Sequence, residues 1–476
     1  MQKKGILLGI ASLPSRFGIG DFGPNAYEFA SWLAKEKYNL WQVLPLNPLG
    51  FGNSPYQPYS SFAGDEIYIS LELLVTDELL SNSDLQEFMP ETDKIDYAGA
   101  RKHKGQFLSK AYRNFVQTNV WTEEYRVFIS DNPWVYNYAV FLTLKKANNY
   151  QPWNLWPQSH KDWIENKKAD LTEYQSGISY ELFIQFIFYR QWRQLKSYVN
   201  SHGIAIMGDI PIYLGYDSLD VWQNQELFLL DENQNPTFIA GVPPDYFSAT
   251  GQRWGNPLYN WEKLEETGFK FWVERLRGNM QMFDIIRIDH FRAFDTYWKI
   301  PVSCPTAVEG EWVEAPGYKL FDAIYQELPN INIVVEDLGD LRPEVLQLRD
   351  HYNLPGMQVF QFVFNPKGDN SRFETLQNSV IYSGTHDNST LLGWYQSLKK
   401  WQRKLVKRYF TANEKNVIRK ILKYIDSCKA NYIIFALQDL LELDDCARIN
   451  YPGKIGSPNW EWKLNNLVLL PNTKIK

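Results

Sequence analysis

The sequence predicts an α/β protein: a (β/α)8 TIM barrel with helical and irregular insertions between its strands, forming one catalytic domain over 1–476. Three observations carry this. Eight short, nearly continuous apolar runs recur along the chain, each bounded by Gly, Pro or Asp, as strands covered on both faces are. Several gaps between them are patterned as helices, and strand alternating with helix gives a parallel sheet with right-handed crossovers. Eight such strands suit a closed barrel better than an open sheet.

In order, the runs are LLGIASL at 7–13, LWQVLPL at 40–46, IAIMGDIPI at 204–212 and DIIRIDHF at 284–291, then INIVVEDLG at 331–339, MQVFQFVF at 357–364, SVIYSGTHD at 379–387 and NYIIFALQDL at 431–440. AYEFASWLAKEK at 26–37 and YELFIQFIFYRQWRQLKSYV at 180–199 have helical periodicity. Two gaps exceed one crossover helix. Residues 72–178, charged and helix-like with a Trp-rich segment, read as a helical insertion subdomain beside the barrel. Residues 213–275, rich in turn formers, read as an irregular insertion on the C-terminal face, where barrel enzymes carry their active-site loops.

Composition narrows the function. A net charge of −6 argues against nucleic acid as a partner. Cys304, Cys428 and Cys446 are widely spaced and odd in number, so they form no disulfide framework. Six scattered histidines give no zinc pattern, and no EF-hand spacing occurs, so no metal or other cofactor is expected. MQKKGILLGIASLPS runs on into LPSRFGIGDFG rather than a cleavage site, and no apolar stretch reaches 18 residues. The expectation is a soluble cytoplasmic protein without a membrane segment. Aromatic residues make up 16% of the chain, enough to fill a large core and also the kind of flat surface on which pyranose rings stack.

The chemistry is expected where DIIRIDHFR, at 284–292, leaves its strand. Arg287 and Asp289 are two apart and so point to the same side, where the cation keeps the carboxylate ionised. Glu336 and Asp387 end two later strands, so all three acids meet on one rim. Paired carboxylates suit glycosidic bond chemistry, one as nucleophile and one as acid and then base. Nearby negative charge raises the pKa of the acid that stays protonated, and Asp337 stands next to Glu336 in sequence.

RIDHFR, VVEDLG and GTHDN, with SLPSRFGIGDFGPNAYEF at 12–29, SPYQPYSSFAG within 40–65, GDIPIYLGYDSLDVW at 208–222 and PPDYFSATGQRWGNPLYNW at 243–261, resemble the 4-alpha-glucanotransferases (amylomaltase or disproportionating enzyme) of the alpha-amylase clan. The likeness covers nearly the whole chain except 72–178 and much of 390–430. It implies transfer of a 1,4-alpha-glucan segment to an acceptor 4-hydroxyl by a retaining double displacement, with malto-oligosaccharides or starch-derived glucans as substrates. It assigns Asp289 as nucleophile, Glu336 as acid then base, and Asp387 as the acid that holds the ring hydroxyls. Arg287 fixes Asp289, His290 and His386 bond the same sugar, Asp209 completes the polar floor and Tyr56 stacks on the donor. Tyr246, Phe247 and Trp254 belong to a loop covering the acceptor side. Ala293, Ser389 and Lys454 depart from the family's Gly, Asp and Thr, and none is a catalytic carboxyl.

A hydrolase shares the first half-reaction, so the acids alone do not separate hydrolysis from transfer. The 241–261 loop bears on the difference, with Pro243 and Pro244 stiffening its start and Gly251 and Gly255 permitting motion around its aromatic tip, either as a lid that excludes water and holds an acceptor ring or as an ordinary surface loop with exposed aromatics. A non-catalytic glucan-binding protein is the third reading, and it would not need all three acids. The sequence leaves the oligomeric state open.

Overall fold

In a computed structural model, which describes residues 2–118, 121–244 and 248–470, eight parallel strands close into a barrel: β1 (Lys3–Leu7), β2 (Leu40–Gln42), β3 (Ala205–Ile210), β4 (Ile285–Ile288), β5 (Ile333–Val335), β6 (Gly356–Val359), β7 (Ser379–Tyr382) and β8 (Tyr432–Ala436). They pair in chain order, and β1 closes the ring against β8 with Lys3 opposite Tyr432 and Leu7 opposite Ala436. Seven of the eight predicted runs hold their strand to within a residue, and the first shares only Leu7 with β1. The first strand lies at 3–7 rather than 7–13, and Ile10–Ser12 is a turn of 3-10 helix. Its leading lysines are compatible with a buried strand because they run their stems along it and keep their charge outside, Lys4 Nζ reaching Asp426 Oδ1 at 2.6 Å.

The other runs extend past their strands, because the apolar pattern continues into the loops of the C-terminal rim. Phe360–Val363, for example, is a helical turn rather than the end of β6. Alternation of side chains fixes what each strand contributes. Leu7, Leu40, Met207, Ile285, Val334, Met357, Val380 and Tyr382 pack together inside the barrel. Ile286, Ile288, Ile333 and Val335 join the larger core under the outer helices. Toward the rim the interior turns polar, and Asp209 on β3 lies in register with Arg287 on β4.

Helices Pro24–Lys35 and Gln175–Ser201 cover the two predicted helical stretches. Residues 72–178 hold the helices Tyr97–Thr118, Thr122–Asp131 and Trp134–Ala147. Of the tryptophans in this insertion, Trp121 and Trp134 are half-buried. Trp153, Trp156 and Trp163 are buried, with Trp163 stacked on Trp222 at 6.2 Å. The 213–275 stretch is more regular than its turn formers suggest. Phe238–Val242 and Gln252–Pro257 pair antiparallel, and Thr296–Pro301 and Glu311–Glu314 extend them to a four-stranded sheet. Pairing across this sheet anchors the base of the 241–261 loop.

Candidate active site

The ends of β3, β4 and β5 and the loops after β2, β7 and β8 build the site. Asp289 follows β4 and Glu336 follows β5, each one residue past the last paired position, while Asp387 stands in the loop after β7. At the floor, Arg287 Nη1 donates to both Asp209 oxygens, at 2.6 and 2.7 Å, and lies 3.1 Å from Asp289 Oδ1. Arg287 Nε meets the Met357 sulfur at 3.4 Å. One buried guanidinium is therefore shared between two carboxylates, and its shorter contacts go to Asp209.

Asp209 and Asp387 therefore enter, beside Arg287, into the charge of Asp289. Burial raises the Asp289 carboxyl to about 6, Arg287 pulls it down, and the charges of Asp209 and Asp387 push it up again. Its side chain keeps 29% of its surface open, and the group is mostly ionised at neutral pH.

Glu336 is held by backbone. His290 N donates to its Oε2 at 2.7 Å and Leu338 N to its Oε1 at 3.1 Å. His290 reaches that position through a left-handed backbone, φ 52° and ψ 49°, an uncommon conformation for a non-glycine residue that recurs at functional sites. Burial raises Glu336 to about 8, with the Asp289 charge adding to it and Arg287 and the two amides opposing. The like charge that matters is Asp289, not the sequence neighbour Asp337. Successive residues point to opposite sides, and Asp337 turns away to accept from Arg349 Nη1 and from Met357 N, both at 2.6 Å. Gly356 makes room for it, since a Cβ there would lie 2.4 Å from an Asp337 oxygen.

On the other side, the Tyr56 hydroxyl donates to Asp209 Oδ2 at 2.8 Å and meets His386 Nε2 at 2.9 Å. Because that hydroxyl has one proton, His386 carries its own on Nε2. The two rings stack at 5.2 Å and 20°. His386 Nε2 also lies 3.4 Å from Asp387 Oδ1. The Asp387 side chain is 45% exposed and accepts from Asn450 Nδ2 at 2.6 Å. Asn450 was not singled out by sequence; its signal is ARINYPGKIGSPNW, a run of turn formers after β8. Trp460 from the same run flanks Tyr56 and His386, each at 5.8 Å.

Trp254, on the accessory strand Gln252–Pro257, sets its ring edge-to-face on His290 at 4.8 Å and 86°. Gln57 Nε2 holds the Trp254 carbonyl at 2.9 Å. Burial and the nearby Arg292 lower His290 to about 3, so its ring is neutral. Tyr246 and Phe247 lie outside the described residues. The structure thus brings together Tyr56, Asp209, Trp254, Arg287, Asp289, His290, Glu336, His386 and Asp387. Among the described residues, no group of three or more His, Cys, Asp or Glu is placed to hold a metal ion.

Such a site offers an open carboxylate on a cation, a second carboxyl kept protonated to a higher pH, and a third acid facing the cleft. Residues 8–469 match the sequence profile of the 4-alpha-glucanotransferase family. The chain belongs to that family. It is similar to the 4-alpha-glucanotransferase of Streptococcus pneumoniae, 41% identical over 480 residues, covering 99% of this chain and 94% of that one. It is likewise similar to the chloroplastic/amyloplastic 4-alpha-glucanotransferase of Solanum tuberosum, 40% identical over 487 residues with 99% and 84% covered. Among solved structures, an amylomaltase from Streptococcus agalactiae in complex with acarbose superposes with a TM-score of 0.94 at 34% identity, covering 99% of this chain and 97% of that one. The barrel and its activity follow: this glucanotransferase is an enzyme that moves 1,4-alpha-glucan segments between chains, and hydrolysis is the disfavoured alternative.

Proposed function

We propose that this glucanotransferase works by a retaining double displacement in which Asp289 is the nucleophile and Glu336 the acid and then the base. The observation that carries this is the placing of the two carboxyls, Asp289 3.1 Å from the Arg287 guanidinium and Glu336 on the amides of His290 and Leu338 beside the Asp289 charge, which leaves Glu336 at about 8 and Asp289 at about 6. Between those values one acid is protonated and the other ionised, which is the division of labour that glycosidic bond cleavage needs. Glu336 protonates the leaving oxygen while Asp289 attacks the anomeric carbon. The acceptor 4-hydroxyl then gives its proton to Glu336 as it displaces Asp289. Oδ1 of Asp387 is occupied by Asn450, so its other oxygen is the one offered to the ring hydroxyls. Tyr56 and Asp209 complete the floor on the donor side.

On this reading Trp254, together with Tyr246 and Phe247, covers the acceptor subsite as part of a lid within 213–275, and 72–178 is a helical subdomain built beside the barrel. Substrates are malto-oligosaccharides or starch-derived glucans. The cytoplasm suits three free cysteines, and no helix among the described residues is long and apolar enough to cross a membrane. Incubation with maltotriose alone tests the reaction. Glucose should appear together with maltodextrins longer than the donor, whereas glucose and maltose with nothing longer would identify a hydrolase.

A further inference from the structure

Asp387 stands on a loop, away from its strand, so something else must fix it. Two segments meet behind it, the loop after β7 and the segment after β8. Asn450 N donates to the His386 carbonyl at 3.0 Å and Asn450 Nδ2 to Asp387 Oδ1 at 2.6 Å. Arg448 ties the two segments together. Its Nη2 donates to the Asp387 carbonyl at 2.7 Å, its Nη1 to Ser389 Oγ at 3.1 Å and its Nε to the Asn450 carbonyl at 2.8 Å. The guanidinium lies 4.3 Å from the centroid of the Tyr451 ring.

We propose that Arg448 is a positioning residue for the third carboxylate, a planar fork that holds Asp387 and Asn450 at a fixed spacing. The shape of the group is the reason. Three acceptors on two segments are met by three N–H vectors of one rigid plane, which an ammonium on a flexible stem does not reproduce. The ring of Tyr451 keeps that plane in place. Asp387 then presents its free oxygen at one height above the sugar, and small displacements there cost rate because the contact serves a distorted ring. This rests on the reading of Asp387 given above.

The test is a double-mutant cycle of Arg448→Lys with Asp387→Asn, scored by kcat on maltotriose and on an activated maltosyl fluoride, with the fraction of active chains counted by glycosyl trapping. Arg448→Lys should lower kcat at least tenfold on both donors, move KM less than threefold and leave nearly every chain able to be trapped. In the Asp387→Asn background the same change should alter kcat less than twofold, because the group it positions is gone. Ser389→Ala removes one arm of the fork and should show a smaller loss, nested in the same way. Independent, multiplicative losses would overturn the proposal, as would an Arg448→Lys enzyme with unchanged kcat. An Asp387→Asn enzyme with full activity would instead overturn the role of Asp387, and the two failures are told apart by that single variant.

Discussion

Replacing Glu336 by Gln tests the acid–base assignment through the pH profile. In the unsubstituted enzyme, protonation of Asp289 below about 6 and ionisation of Glu336 above about 8 each remove the active form. The profile of kcat/KM on maltotriose is therefore a bell centred near 7, with about four-fifths of the enzyme correctly protonated at its top and about a tenth at one unit beyond either limb. The two values belong to the interacting pair, since the Asp289 charge is part of what raises Glu336. Glu336→Gln leaves no proton to give, so turnover of maltotriose should fall by about 10²–10⁴-fold. A maltosyl fluoride needs little help in leaving. The first-turnover burst of fluoride from the variant should stay within an order of magnitude of that of the unsubstituted enzyme, keep the acid limb near 6 and show no alkaline limb, while steady-state release falls with the slow second step. An alkaline limb near 8 that survives in the variant would mean that another group is the acid.

Two further outcomes follow from the geometry. Trp254→Ala removes an aromatic face from the acceptor side, about 1 kcal/mol, or several-fold in acceptor binding, without touching either acid; transfer to glucose should fall and hydrolysis rise relative to it, measured by product chromatography, and an equal fall in both would make Trp254 a structural support. Lys104 is 1% exposed and donates to Asp21 Oδ2 at 2.9 Å and to the Ile67 carbonyl at 2.7 Å; Lys104→Met leaves a buried carboxylate unpaired and should cost about 3–5 kcal/mol in denaturant unfolding, most of it recovered by adding Asp21→Asn.

Much of the barrel is legible in the chain because strands covered on both faces read as apolar runs; seven of the eight runs hold their strand to within a residue, and the first shares only Leu7 with β1. The boundaries are less so. Apolar patterning continues from strand into rim loop at Phe291 and Phe360, and the lysines of β1 look like a polar flank until β8 is placed beside them. Of the acids, Asp289 and Glu336 are marked by their position at strand ends and Asp387 by the run that holds β7, though it stands five residues past Tyr382; their electrostatics are not legible. Asp337 is adjacent in sequence and remote in effect, while Asp209, some 80 residues away, takes the shorter contacts of Arg287. Asn450 and Arg448 act through a loop–loop contact that no periodicity encodes. Composition shows the same limit, since an aromatic share that suits either a core or a sugar surface does not say where Trp153 and Trp156 go, and both are buried.

The central claim is that Asp289 forms the covalent intermediate. Glu336→Gln, which forms the glycosyl-enzyme from a maltosyl fluoride and breaks it down slowly for want of a base, accumulates that species for digestion and peptide mass spectrometry. The account predicts one maltosyl increment per chain, on the peptide containing Ile288–Asp289–His290 and fragmenting to Asp289. A label on Asp209, Asp387 or any other residue, or fluoride release with no labelled peptide at all, would contradict it.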